Sequence, residues 1–251
     1  MNFMDYPILV LVLSLVPMLI AAWLGDRVRN RRGVADAQRD DMKMVLNAVL
    51  ILLALLIGFT FSMAVSRYDQ RKKLEEEEAN AIGTEYLRTE LLSAENAAKI
   101  QGLLKKYVDQ RILFYAAGDS EKAAKVRTGS GDVQQQLWAA ILAEKADDKP
   151  ATSVLVLSGM NDVINSEGYT QAAYLDRIPT AAWGLMAAIA IYSNLLIGYS
   201  ESRTDTRALL VFPIVVAIAL FLIAEIDSPH GGMIRVVPYN LVSLSQSMTP
   251  K

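Results

Sequence analysis

Hydrophobic residues gather in four blocks that polar segments separate. Two blocks lie in the first quarter of the chain, at residues 6–24 and 45–65, and two near its end, at 179–199 and 208–226. Each block runs for about 20 residues, the length a helix needs to cross a hydrocarbon core of about 30 Å. The pattern predicts an all-α membrane protein with four transmembrane helices, the first of which ends at Gly25 and Asp26.

Between the second and third blocks the apolar residues recur at helical spacing among polar ones. The first such segment, 94–117, follows a candidate N-cap, Ser93, and its apolar stripe has spacings of three and four. The members of that stripe are Ile100, Leu103, Leu104, Tyr107, Val108, Arg111, Ile112 and Tyr115. Residues 128–131 read as a turn, after which Asp132 is the candidate cap of a helix over 133–145. A last helix is expected at 151–166, with Gly168 just beyond its end.

The domain prediction follows from this alternation. We expect transmembrane helices 1 and 2 within residues 1–66, and an all-helical extramembrane domain over 67–177, inserted between the second and third spans. Transmembrane helices 3 and 4 then occupy 178–227, and residues 228–251 form a polar tail. An inserted domain of roughly 110 residues is of ordinary size.

The second block carries a graded stripe on one helical face. Ile51, Leu55 and Phe59 lie four residues apart, and Ser62 and Ser66 continue their face toward the polar end. Repeated around an axis, the apolar part would form a constriction and the hydroxyl part a wetter vestibule. The alternative is that the stripe packs against lipid or the other spans. Further candidate lining positions are Asn47, which can instead sit at the headgroups, and Gly58.

The second helix is expected to continue through 67–89, where basic residues precede acidic ones. Arg67 comes first, and four consecutive carboxylates follow at Glu75, Glu76, Glu77 and Glu78. Pairs four residues apart between the two sets support an exposed helix. Two interpretations stay open: a solvated helical rim, or a ring of charge at a pore mouth that favours cations.

Composition excludes several functions. The chain has 251 residues, a net charge of -2, one His and no Cys. Without Cys there is no disulfide, thiolate metal site or Cys nucleophile, and the charge gives no sign of nucleic-acid binding. No catalytic constellation is recognisable, so we expect a protein that is not an enzyme and carries neither a cofactor nor a metal.

Two stretches resemble the bestrophin-like domain family of bacterial membrane proteins, which is similar to the bestrophin anion channels. They are GFTFSMAVSRYDQRKKLEEEEANAIGTEYLRTELL at 58–92 and AEIDSPHGGMIRV at 224–236. The most specific pieces are Gly58-Phe59, the Ser66-Arg67-Tyr68 segment where the helix leaves the membrane, and a tail turn containing Asp227, Pro229 and Gly231. Tyr68 and Asp69 stand where bestrophins usually have two Trp, so anion selectivity is not implied.

The resemblance implies a multi-pass protein of the bacterial inner membrane that assembles as a homopentamer. Its second span would line a pore for small inorganic ions, with Ile51, Leu55 and Phe59 as the rings of an apolar neck. Its partners would be the lipid bilayer and further copies of itself.

Two functions remain at this point. The first is an oligomeric ion channel. The second is a non-conducting, membrane-anchored helical scaffold or sensor, which the lack of intramembrane ionisable residues favours. Orientation is likewise open: the Lys and Arg counts of the 26–43 and 198–207 loops place these loops in the cytoplasm, whereas the resemblance implies the reverse.

Overall fold

The computed structural model describes residues 6–32, 36–143, 150–200 and 206–248. Within them the chain is helical almost throughout, with a single 3-10 turn at Thr89–Leu91. The helices are α1 (Pro7–Arg32), α2 (Asp36–Arg88), α3 (Ala94–Ala116), α4 (Ser120–Leu142), α5 (Pro150–Leu175), α6 (Thr180–Ser200), α7 (Thr206–Asp227) and α8 (Tyr239–Ser247). Four helical stretches are long and apolar enough to cross a membrane. The prediction of an all-α protein with four candidate spans is thereby confirmed.

The chain divides into two compact units. Unit 1 comprises Met1–Ser66 and Arg177–Ile234, and unit 2 comprises Arg67–Asp176 and Arg235–Lys251. The residues predicted as a tail are therefore shared: 228–234 belong to unit 1, and the segment from 235 onward belongs to unit 2. The location of 67–177 outside the bilayer stays a prediction.

Unit 1 contains the four apolar segments, and α1 packs mainly on α6 and α7. Helices α1 and α6 approach each other closely at Gly25 and Gly198. A Cβ on Gly25 would lie 2.2 Å from the carbonyl oxygen of Leu195, and one on Gly198 would lie 2.0 Å from that of Ala22. Both contacts are with backbone atoms, so the two glycines let α1 and α6 touch directly, as small residues do between membrane helices.

Unit 2 has a continuous apolar core, formed by the second part of α2 with α3, α4, α5 and α8. Its fully buried members include Ile82, Ile100, Leu104, Val108, Leu137 and Val163. The aromatic rings of Phe114, Tyr115 and Tyr174 meet in tilted and edge-on pairs with centroids 5.1–5.9 Å apart. The apolar stripe predicted for 94–117 is thus the core-facing side of α3.

Helix α2 is continuous for 53 residues, which confirms the predicted extension of the second span. At 1.5 Å per residue it is about 80 Å long, far more than the roughly 30 Å of a bilayer core. Only its apolar segment, 45–65, suits the hydrocarbon region. The charged remainder, from Arg67 to Arg88, belongs to unit 2.

Helix α1 does not end where the sequence predicted. It continues through Gly25 and Asp26 to Arg32. The Asp26 carboxylate accepts hydrogen bonds from Arg29 and, at 3.1 Å, from Asn30 Nδ2, three and four residues further along the helix. These pairs support the helix, and Gly25 serves packing on α6. Most of the predicted 26–43 loop is therefore helical, and its residues 33–35 lie outside the described residues, as do 201–205 of the 198–207 loop.

The predicted break at 128–131 is also wrong, because α4 runs unbroken from Ser120 to Leu142. Its cap is Asp119, whose carboxylate accepts a hydrogen bond from Lys122 N at 2.8 Å, and not Asp132. The Thr128 hydroxyl donates to the carbonyl of Ala124 at 3.2 Å and so stays compatible with a helix. Similarly, α5 continues past Gly168 to Leu175.

Candidate functional site

The three predicted neck residues are exposed on the surface of the single chain. The exposed fractions are 70% for Ile51, 52% for Leu55 and 64% for Phe59. Large apolar side chains this exposed need cover from lipid or from another protein surface. The other candidate lining positions, Asn47, Gly58, Ser62 and Ser66, are exposed as well.

The opposite face of the same helix segment is buried. Its members are Leu53, Thr60 and Ala64, and the Thr60 hydroxyl donates to the carbonyl of Leu56 at 2.7 Å. At 100° per residue these three lie roughly 180–220° around the helix from Ile51, whereas the candidate lining residues fall within about 80° of it. The segment therefore has a covered side and an uncovered side, and the predicted stripe occupies the uncovered one.

Gly58 has open space around it. A Cβ at this position would meet no atom within 4 Å. Among the described residues of its own chain, nothing thus requires a glycine here. The close approach that Gly58 permits would have to involve a neighbouring molecule.

Arg67 opens unit 2 and forms a two-pronged ion pair across it. Its Nε and Nη2 donate to the two carboxylate oxygens of Asp176 at 3.2 and 3.3 Å. Asp176 directly follows the end of α5, so the pair ties the first turn of α2 in unit 2 to that end. The parallel geometry makes this stronger than an ordinary surface ion pair.

Glu75 is buried and caps α8. Its Oε1 accepts hydrogen bonds from the backbone amides of Asn240 and Leu241, each at 3.0 Å, and its Oε2 accepts one from Asn240 Nδ2 at 2.7 Å. These amides belong to the first turn of α8, whose N–H groups have no partner inside the helix. The carboxylate also complements the positive end of the helix dipole.

Glu78 is buried at the centre of a charged cluster. Its carboxylate accepts hydrogen bonds from Arg111 Nε and Nη2, from the Tyr115 hydroxyl at 2.9 Å and from the Thr170 hydroxyl at 3.3 Å. Burial is the largest effect on Arg111 and opposes its charged form, but the charge and hydrogen bonds of Glu78 act together with Tyr107 and Glu167 and raise the Arg111 pKa above its ordinary value. Burial, followed by the charge of Glu78, raises the pKa of Tyr115, which keeps that hydroxyl a donor.

Arg111 has a second carboxylate neighbour. Its Nη1 lies 3.4 Å from Glu167 Oε1, and Glu167 Oε2 also accepts from the Tyr107 hydroxyl at 3.4 Å and from Gln134. Burial raises the pKa of Glu167, against the effect of Arg111. One guanidinium is thus shared by two carboxylates on different helices, α2 and α5.

The structure therefore separates the four consecutive carboxylates. Glu75 and Glu78 point into unit 2, so they do not belong to an exposed ring, and only Glu76 and Glu77 are exposed. The reason is helix geometry, because neighbouring residues point about 100° apart. Of the predicted pairs, Lys73 and Glu77 form one at 3.5 Å.

The tail segment forms a tight turn at the end of α7. The Asp227 carboxylate accepts from the Ile178 amide at 3.3 and 3.4 Å, and the Ser228 hydroxyl accepts from the Gly231 amide at 3.1 Å. Pro229 is buried, whereas Gly231 is exposed. Asp227 thereby joins the C-terminal end of α7 to the residues that lead into α6.

Sequence reasoning missed the cluster around Arg111 as a unit. The signal that could have found it is the position of Arg111 on the otherwise apolar stripe of α3. A charged residue on a core-facing stripe needs a buried partner of opposite charge. The partner, Glu78, comes 33 positions away, and no local pattern identifies it.

A family model for the bestrophin-like domain matches residues 12–241. The chain belongs to the bestrophin-like family. No curated protein matches it.

Solved structures share the bestrophin fold at low sequence identity. A single-substitution variant of a bacterial bestrophin homologue from Klebsiella pneumoniae is 13% identical, with a TM-score of 0.65 over 96% of this chain and 97% of that one. The Klebsiella pneumoniae homologue solved by zinc phasing is 16% identical, with a TM-score of 0.63 over 96% and 95%. This bestrophin-like chain therefore has the fold over nearly its whole length.

Proposed function

We propose that this protein is an oligomeric ion channel whose pore is lined by the apolar segment of α2. The observation that carries the proposal is the uncovered stripe of Ile51, Leu55 and Phe59, which lies opposite the buried face of the same segment. Membership of the bestrophin-like family supports it.

One copy cannot enclose a pore with a single stripe. Cyclic symmetry repeats the stripe around an axis, so that one helical face lines the whole wall. We propose five copies, as the resemblance to bestrophins implies, in the bacterial inner membrane. The open space beside Gly58 then gives room for a neighbouring helix.

The three apolar rings form the gate. Hydrophobic constrictions can close a pore by dewetting, and they need no charged group. On the side of the neck that follows Phe59, Ser62 and Ser66 line a wetter region. On the other side, before Ile51, Asn47 supplies a polar lining group. Small inorganic ions are the proposed cargo. Arg67 follows the serine end of the stripe directly along α2, and of the four consecutive carboxylates only Glu76 and Glu77 are exposed.

The test compares currents in planar bilayers. The variant Ile51→Ala, Leu55→Ala, Phe59→Ala should widen the neck and raise the leak conductance above that of the unchanged protein. A matched control exists on α1, where Val12, Val16 and Ile20 have the same four-residue spacing and are about half exposed. The triple alanine variant at these positions should leave the current unchanged.

Both variants are first checked for assembly by mass measurement in mild detergent. An assembled neck variant whose current equals that of the α1 control would remove the three residues from the pore. Absence of current in every assembled form would instead favour the non-conducting scaffold or sensor.

A further inference from the structure

A cavity of about 380 Å³ lies in unit 2 between α4 and α5. Polar side chains of both helices line it: Arg127 and Gln134 from α4, and Glu167 and Gln171 from α5. Its volume falls within the range of small-molecule sites, and a few placed polar groups are what such sites use to orient a ligand.

Two glycines keep the cavity open. Gly131 of α4 and Gly168 of α5 both line it, and a Cβ on either would meet no atom within 4 Å. Both lie inside helices, where glycine is the least favourable residue apart from proline. Neither is required by a close contact, unlike Gly25 and Gly198. Because they have no side chains, they leave space in the cavity between α4 and α5.

The inner wall of the cavity carries an acidic side chain, Glu167, that shares its cation with Glu78. Arg111 is the shared partner of Glu78 and Glu167, and it forms its closer, two-pronged contact with Glu78. Counting charges, two carboxylates face one guanidinium. Glu167, the less fully paired of the two, has a side chain only 12% exposed and borders the cavity.

The outer wall carries the opposite charge. Arg127 is exposed, and among the described residues its guanidinium forms no ion pair within 4.0 Å. It is near enough to Glu167 to lower the pKa of that carboxyl, against the larger effect of burial. The two opposite charges therefore face the same cavity without touching.

We propose that this cavity binds a small zwitterion, with its ammonium group at Glu167 and its carboxylate at Arg127. A ligand with only a positive charge would be attracted by Glu167 but repelled by Arg127. A ligand with only a negative charge would be attracted by Arg127 but repelled by Glu167. A zwitterion matches both walls at once. Because the Gln134 amide nitrogen already donates to Tyr107 and Glu167, its carbonyl oxygen and the whole amide of Gln171 supply the further polar groups between the two charges.

The test uses full-length protein in detergent and isothermal titration calorimetry. The probes are unbranched ω-amino acids of two to six carbon atoms, which vary the distance between the two charges, with butylamine and butyrate as singly charged controls. We expect one chain length to bind best, and at least 10-fold more tightly than either control.

Variants locate the binding. Glu167→Gln removes the negative charge and keeps the shape, and Arg127→Met removes the positive charge and keeps an unbranched stem; each should weaken binding of the best probe at least 10-fold. Gly131→Leu fills the cavity and should abolish binding. The matched control is Gly102→Leu in α3, an exposed helical glycine that also has nothing within 4 Å but does not line the cavity; it should bind as the unchanged protein does.

Two results would overturn the proposal. One is that no member of the series binds at 10 mM, which would mean that the cavity holds water only. The other is that binding survives Gly131→Leu in a protein that still folds, which would place it elsewhere. Both are independent of conductance, so failure here leaves the channel proposal standing, and the reverse also holds.

Discussion

Gly25 and Gly198 bring α1 and α6 into direct backbone contact: a Cβ on Gly25 would lie 3.1 Å from the carbonyl carbon of Gly198. Backbone atoms cannot move aside as side chains do. Gly25→Ala and Gly198→Ala should therefore each separate the helices and destabilise the protein by about 1–3 kcal/mol, the usual cost of overpacking. Unfolding in mixed micelles measures the change.

The control for this pair is Gly184→Ala, which lies in the same helix α6 but where a Cβ would meet nothing within 4 Å. It should change the free energy of unfolding by no more than about 1 kcal/mol, the scale of helix propensity alone. Equal effects of all three substitutions would show that the α1–α6 contact has no special role.

The buried pair of Arg111 and Glu78 gives a second prediction. Arg111→Met keeps much of the side-chain volume but leaves Glu78 and Glu167 without their cation. Removing one partner of a buried ion pair typically costs about 3–5 kcal/mol, and denaturant unfolding of the full chain should show a loss of this size.

Lys125 and Glu121 provide the comparison, because they form an ion pair at 2.8 Å on the exposed side of α4. Lys125→Met should cost about 0–1 kcal/mol, as solvent-exposed pairs do. An equally mild effect of Arg111→Met would show that the buried pair contributes no more to stability than a surface pair does.

Much of the fold could be predicted because long apolar blocks give a strong signal. The four spans needed only length and hydropathy, and the continuation of α2 into unit 2 needed only the absence of breakers after Gly58. Local patterns predicted helix ends wrongly where residues typical of turns lie inside helices. Gly25 packs against α6, and Thr128 satisfies its hydroxyl within its own helix.

The candidate site was predictable only in part, for a related reason. The spacing of Ile51, Leu55 and Phe59 identifies a shared face from sequence, and the structure leaves that face exposed. Whether a carboxylate is buried depends on partners far along the chain. Glu75 finds its partner 165 positions later, at Asn240, so the acidic run could not be divided into inner and outer residues beforehand.

A third prediction concerns Glu85, which is buried in unit 2 beyond the apolar segment of α2. A Cβ on Gly159 of α5 would lie 1.9 Å from Glu85 Oε2, and Arg88 Nη1 is 3.8 Å from that oxygen. Burial raises the Glu85 pKa to about 8, with Arg88 opposing and Asp162 adding to the rise. Folded protein then holds this proton more tightly than unfolded protein, so stability falls as pH rises from about 4.5 to about 8.

Glu85→Gln removes the titrating group and keeps its shape. The stability of this variant should fall less between pH 5 and pH 8 than that of the unchanged protein, as measured by thermal unfolding at each pH. Glu77→Gln, an exposed carboxylate on the same helix, should leave the pH profile unchanged. Parallel profiles for Glu85→Gln and the unchanged protein would mean that Glu85 is ionised throughout this range.

The last prediction uses the absence of cysteine from the chain, which makes any introduced thiol unique. In a ring of identical copies, a residue meets its own counterpart only near the symmetry axis. Phe59→Cys should therefore be linked between copies by a short bifunctional thiol reagent, giving a covalent dimer on a denaturing gel, the largest product that one thiol per copy allows. Ile57→Cys is the control on the same helix, where this residue is half-buried. It lies about 160° around the helix from Phe59, beside Leu53 and Ala64 of the buried face, so its copies should point away from the axis and stay unlinked. Equal linking at both positions would indicate random collision between copies, and linking at position 57 alone would require the opposite face of α2 to line the axis.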